Sequence, residues 1–85
     1  MRHAGAESLN RLEPLLVRLR ALEGVTERGR GVFYRKSRAF LHFHEDPSGL
    51  HADLRCDGDA FQRSRVETEI ERNALFEAVR AALDR

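Results

Sequence analysis

Four side chains in one short stretch have the chemistry to hold a metal ion: His42, His44, His51 and Asp53. His42 and His44 are two residues apart, which puts both imidazoles on one side of a strand. The turn signal Asp46-Pro-Ser-Gly49 then sends the chain back, and His51 and Asp53 answer from the returning run. Three imidazoles and a carboxylate suit zinc or another borderline divalent metal. An open, flat sheet seldom converges four side chains on one point, however. The four stand as candidates only, and no metal or other cofactor is assigned.

His42 beside Asp53 also resembles an oriented general base. The serines that would serve as its nucleophile, Ser37 and Ser48, sit in turns, where serine is expected anyway. Cys56 is expected to point into the core, where a thiol is inert. No catalytic residue is assigned.

A sheet must position these residues, and periodicity supplies one. Val32 to Arg35, Arg38 to His44 and Leu50 to Cys56 read as strands, with Lys36-Ser37 as the first turn. Phe61 to Val66 reads as a fourth, edge strand, whose Arg63 and Arg65 suit a border open to water. Leu9, Leu12, Leu15, Leu16, Leu19 and Leu22 draw one apolar stripe and predict a helix over 9–23. Asn10 with Glu13 resembles its capping box, Pro14 falls near its first turn, and Gly24 ends it. A second helix over 69–84 carries Leu75, Phe76, Val79, Ala82 and Leu83 on one face, opened by Thr68 and Glu71. Residues 1–8 read as a frayed start and 25–31 as a loop; His3 has no part in the pattern. The expected fold is α+β, an antiparallel meander of three or four strands with both helices packed on one face.

The register can be written out. Pairing back from Asp46–Gly49 sets Glu45 opposite Leu50, His44 opposite His51, Phe43 opposite Ala52, His42 opposite Asp53, Leu41 opposite Leu54 and Phe40 opposite Arg55. The Lys36-Ser37 turn sets Tyr34 opposite Ala39, Phe33 opposite Phe40 and Val32 opposite Leu41. One face then carries Val32, Tyr34, Ala39, Leu41, Phe43, Ala52, Leu54 and Cys56, the expected core. The other carries Phe33, Phe40, His42, His44, His51, Asp53 and Arg55, and function is expected there.

The leading reading of that face is self-association or docking of a protein partner, with a homodimer stacking Phe33 and Phe40 against their mates. The runner-up is nucleic-acid binding, from Phe33, Phe40 and Arg55 with the basic cluster Arg28, Arg30, Arg35, Lys36 and Arg38. Metal binding comes third. The blandest alternative is a set of ordinary cross-strand pairs, His42 with Asp53 and Phe40 with Arg55.

The segments Gly31-Val-Phe-Tyr-Arg35 and Ser37 to Arg55, and the order helix, Gly24-Val25-Thr26-Glu27 loop, meander, edge segment, helix, resemble small bacterial proteins and are similar to the MmcQ/YjbR-like family. That resemblance covers residues 15–80. It implies an α+β fold and DNA binding through a double-wing arrangement, and it transfers no functional residue.

Composition sets the outer bounds. The 85 residues fit one domain, 1–85, of a size that buries only about 60% of its unfolded surface. A hydrophobic fraction of 41% with 15 basic against 14 acidic residues reads as globular. A net charge of +1 excludes a surface that is basic throughout. The lone cysteine excludes an internal disulfide and suits a reducing compartment. With no apolar run near the roughly 18 residues of a membrane span and no signal-peptide pattern, a cytoplasmic location is expected.

Overall fold

The computed structural model describes residues 2–84. In chain order the elements are β1 (Arg2–His3), α1 (Ala6–Arg20), β2 (Thr26–Gly29), β3 (Val32–Arg35), β4 (Arg38–Asp46), β5 (Gly49–Asp57), β6 (Ala60–Arg65) and α2 (Glu69–Leu83). The fold is α+β. All strand pairs are antiparallel, in the order β2-β3-β4-β5-β6, and β1 pairs with the far end of β4. The meander is therefore larger than expected from sequence, gaining β2 from the presumed loop and β1 from the presumed frayed start. Met1 of that start lies outside the described residues. No described helix is long and apolar enough to cross a membrane.

Helix α1 begins three residues earlier than its leucine stripe suggests and ends three residues earlier. Its N-cap is Gly5, with no side-chain cap, so the expected Asn10–Glu13 box does not form. Glu45 on the sheet instead accepts from the Gly5 N–H at 2.5 Å, satisfying a donor that the helix leaves open. Pro14 consequently lies inside the helix, where it removes a backbone hydrogen bond. Burial of Leu12, Leu15, Leu16 and Leu19 against the sheet offsets that loss, at roughly 1.5–3 kcal/mol for each fully buried leucine. The capping box of α2 forms as read: Thr68 Oγ1 accepts from Glu71 N–H, and the Glu71 carboxylate accepts from Thr68 N–H.

The core joins those leucines to Leu75, Val79 and Ala82 of α2 and to Phe33, Phe40, Leu41, Phe43, Leu50, Ala52 and Leu54 of the sheet. Val66, just past β6, completes it. At the β2–β3 turn Gly31 takes φ 79°, and a Cβ there would sit 2.7 Å from Leu9 Cδ2, so glycine is required for both conformation and space.

Along β4 and β5 the pairing agrees with the sequence register from Leu41↔Leu54 to Glu45↔Leu50, and Asp46↔Gly49 extends it by one pair into the presumed loop. Between β3 and β4 it does not. Tyr34 pairs with Ala39, but Phe33 pairs with Leu41, leaving Phe40 as an extra residue. This bulge has a large consequence, because a one-residue slip turns every side chain beyond it to the other face. Phe33 joins Leu41 on the helix side, Phe40 enters the core beside them, and Val32, Tyr34 and Ala39 fall by alternation on the open side. Phe33 is 1% exposed and Phe40 3%. Both leave the face on which the sequence register placed them.

Three carboxylates tie α1 to the sheet and its turns. Glu45 holds Gly5 N, Arg2 and Ser8; Glu67 holds Arg11 and the Leu50 N–H; Glu13 holds Arg20 and Arg30. The Arg20 and Arg30 guanidiniums push the Glu13 pKa from its ordinary 4.5 down to about 2. The Gly5 N–H and Arg2 lower that of Glu45, and Arg11 with the Leu50 N–H lowers that of Glu67. A depressed carboxylate contributes stability above its unfolded pKa and loses it as pH falls through the folded one. Thermal melts are accordingly expected to hold steady down to pH 4.5 and to decline between there and about 2. A melting temperature flat across that window would contradict these roles.

Candidate metal centre on the open sheet face

The alternation that sends Leu41 and Phe43 inward sends His42 and His44 outward. Strand β1 then adds an imidazole, since His3 pairs with His44 and lies beside it on the same edge of β4. The His3 and His44 rings stack at 4.8 Å between centroids, and His42 meets His44 edge-on at 4.8 Å. His42 Nδ1 is 2.8 Å from His44 Nε2. One ligand atom from each of His3, His42 and His44 lies within 4.8 Å of the others. Tetrahedral zinc with nitrogen ligands at about 2.0–2.1 Å implies edges of roughly 3.3 Å.

Beneath the cluster lies Asp53, 5% exposed and the sole buried charged residue among those described. Its Oδ1 accepts from Arg63 Nε at 2.7 Å and its Oδ2 from Arg63 Nη2 at 2.8 Å, a bidentate pair. Oδ2 also lies 3.1 Å from His44 Nε2. In register Asp53 faces His42, yet its contact is diagonal, to His44. Arg63 keeps the carboxyl ionised and accepting. His44 Nε2 faces both Asp53 Oδ2 and His42 Nδ1, and its buried Nδ1 has no hydrogen-bond partner among the described residues.

Burial is the largest influence on both imidazoles of β4 and lowers their pKa values. Neighbouring His44 adds to this for His42, and His3 and Arg63 add to it for both, while Asp53 opposes it. Both rings are therefore neutral at pH 7, the state in which imidazole offers a lone pair to a metal.

The other sequence candidates are distributed differently. His51 turns to the hairpin end, with Nε2 3.4 Å from Asp46 Oδ1 and 3.1 Å from Ser48 Oγ, outside the cluster. Arg55 stays on the open face but covers Phe61 at 4.4 Å rather than Phe40. Phe40 has Arg35 near its ring instead, at 5.9 Å. The 28–38 basic cluster disperses: Arg28 stacks on Tyr34, Arg30 pairs with Glu13, Arg35 binds the Ala82 and Leu83 carbonyls, and Arg38 pairs with Asp59, leaving Lys36 at the exposed turn. Cys56 is half-buried at the rim of the core rather than within it, with Sγ 3.5 Å from Gln62 Oε1.

Three residues of the face were missed. His3 sits in a two-residue strand, too short to show a period. Phe61, edge-on to His42 at 4.8 Å, and Arg63 belong to the edge strand, whose pairing with β5 was not written out. Counting back from the Asp57↔Ala60 turn sets Arg63 opposite Leu54; the register shift between Leu54 and Asp57 is what brings it opposite Asp53.

No family model, curated protein or solved structure matches the chain. The chemistry of the face therefore stands on its own residues.

Proposed function

We propose that this protein binds a divalent transition-metal ion of the zinc class on its open sheet face, with His3, His42 and His44 as ligands. One observation carries the reading: three imidazoles from two strands bring a ligand atom each to within 4.8 Å, and two of the rings are held neutral by burial. Asp53 supports them from below, as the carboxylate that orients a ligating histidine does in metal sites generally. Three clefts of the chain are lined by residues other than these histidines.

The metal reading replaces self-association as the first choice because Phe33 and Phe40, the aromatic pair that motivated a dimer, are core residues. The nucleic-acid reading loses the same aromatics and the dispersed 28–38 cluster.

Isothermal titration of the chain with zinc tests the proposal. One saturable site per chain is expected, weakened when His3→Ala removes the ligand contributed by β1. Heat that never saturates, or binding indifferent to His3→Ala, would sink it.

A further inference from the structure

Where β3 turns into β4 and β5 turns toward β6, a cleft of about 280 Å³ opens, close to the small end of ligand sites at roughly 300–1,000 Å³. Four cations line it, Arg35, Lys36, Arg38 and Arg55, and no carboxylate joins them among the described side chains. Ala39 and Phe40 add an apolar wall. Even counted with Asp57 and Asp59 of the adjoining turn and Asp84 after α2, the cations are in excess.

Most of that charge is held in place without being neutralised. Arg35 donates to the Ala82 and Leu83 carbonyls, and Arg55 to the Ala39 and Asp59 carbonyls at 2.9 and 3.3 Å. The Asp59 carboxylate, 88% exposed, pairs with Arg38 and stands 3.9 Å from Arg55. Lys36 makes no hydrogen bond or ion pair among the described residues. Yet the backbone holds it at φ 52°, with Ser37 at 68°, conformations usually given to glycine or asparagine. Such strain is characteristic of sites where the side chain it presents has work outside the fold.

We propose that this cleft binds a phosphate dianion, with Lys36, Arg38 and Arg55 as its contacts. Lys36 supplies its ammonium. Arg38 keeps Nε and Nη1 unbonded among the described residues, and Arg55 keeps Nη2. A phosphate dianion answers the excess of charge and offers three oxygens to donors that converge from two strands and a turn. Free phosphate and a phosphomonoester share this chemistry. The site needs no metal at the histidine cluster, so the two proposals stand or fall separately.

Backbone amide NMR spectra of the metal-free chain test this, at fixed ionic strength, with inorganic phosphate, phenyl phosphate and acetate titrated separately. Saturable shifts are expected from Lys36 to Phe40 and at Cys56 and Gly58 with one or both phosphates, and much weaker ones with acetate. Tighter binding of phenyl phosphate assigns the ligand to an ester lying along Ala39 and Phe40, and tighter binding of inorganic phosphate assigns it to the free anion. Lys36 is exposed at its turn, so its variants are expected to fold. Lys36→Gln is expected to weaken phosphate binding by roughly tenfold, the scale of one lost charge-assisted hydrogen bond. Lys36→Arg, which keeps the charge, is expected to restore most of it. Arg2→Gln, the same change of charge beside the opposite end of β4, is expected to leave binding unchanged. Shifts that never saturate, that acetate matches, that Lys36→Gln leaves intact, or that centre on residues away from the cleft would overturn the inference.

Discussion

Phe33→Ala is expected to destabilise the protein by about 3–5 kcal/mol, the usual cost of emptying a buried aromatic site. A domain of this length has on the order of 5–10 kcal/mol in total, so the variant is expected to lose a large part of its stability. The bulge at Phe40 sets this cost. Had β3 and β4 paired without it, Phe33 would sit on the open face and its truncation would cost little. Because the extra residue shifts the register, Phe33 packs opposite Leu41 at 1% exposure. Phe40→Glu is a second reading of the same fact: it buries a carboxylate in the core and is expected to unfold the chain rather than to dissociate a folded dimer into folded monomers. Urea denaturation of Phe33→Ala decides the matter. A loss below about 1 kcal/mol, the range of ordinary surface changes, would place Phe33 outside the core and remove the bulge from the account.

His44→Ala is expected to lower zinc affinity by at least about 100-fold, more than loss of a supporting contact around a metal, which costs 10–100-fold. His44 is the hinge of the cluster. It stacks on His3, meets His42 through Nε2, and takes its orientation from Asp53. Removing it also removes the bridge to the carboxylate and leaves His3 and His42 as the two remaining ligands. The fold should survive, because the ring's own Nδ1 is buried without a partner and its loss relieves that cost. His51→Ala serves as the control. Its ring belongs with Asp46 and Ser48 at the hairpin, and zinc affinity is expected to stay within about twofold, the scale of a surface change. Equal losses in the two variants would mean that zinc is held by scattered surface histidines.

The parts of this structure that could be read from sequence are those where one strong local signal fixes the geometry. Asp46-Pro-Ser-Gly49 sets the β4–β5 turn, and everything from Leu41↔Leu54 to Glu45↔Leu50 follows by counting. Thr68 and Glu71 mark the start of α2 because their two backbone hydrogen bonds require that spacing. Where no such signal exists the reading failed. Lys36 and Ser37 form the β3–β4 turn at φ 52° and 68°, conformations usually given to glycine or asparagine, and nothing in those residues announces the bulge that follows. Asn10 and Glu13 look like a capping box, but the start of α1 is set at long range by Glu45, forty residues away. His42 pairs with Asp53 and His44 with His51 as the register predicts, yet the His51 ring turns to the hairpin and stays outside the cluster. The third imidazole comes instead from His3, through a pairing of residues 2–3 that no periodicity reveals. The identity of the open face was thus legible in part, while its aromatic content was misassigned by one residue.

The most direct test of the central claim is a zinc titration followed by histidine ring resonances in NMR spectra. The four histidines of the chain give separable signals, and the structure divides them three to one. The prediction is that His3, His42 and His44 shift together and stop at one equivalent, while His51 stays in place. Independent drifts of all four rings without saturation, or a response led by His51, would contradict the cluster as a metal centre.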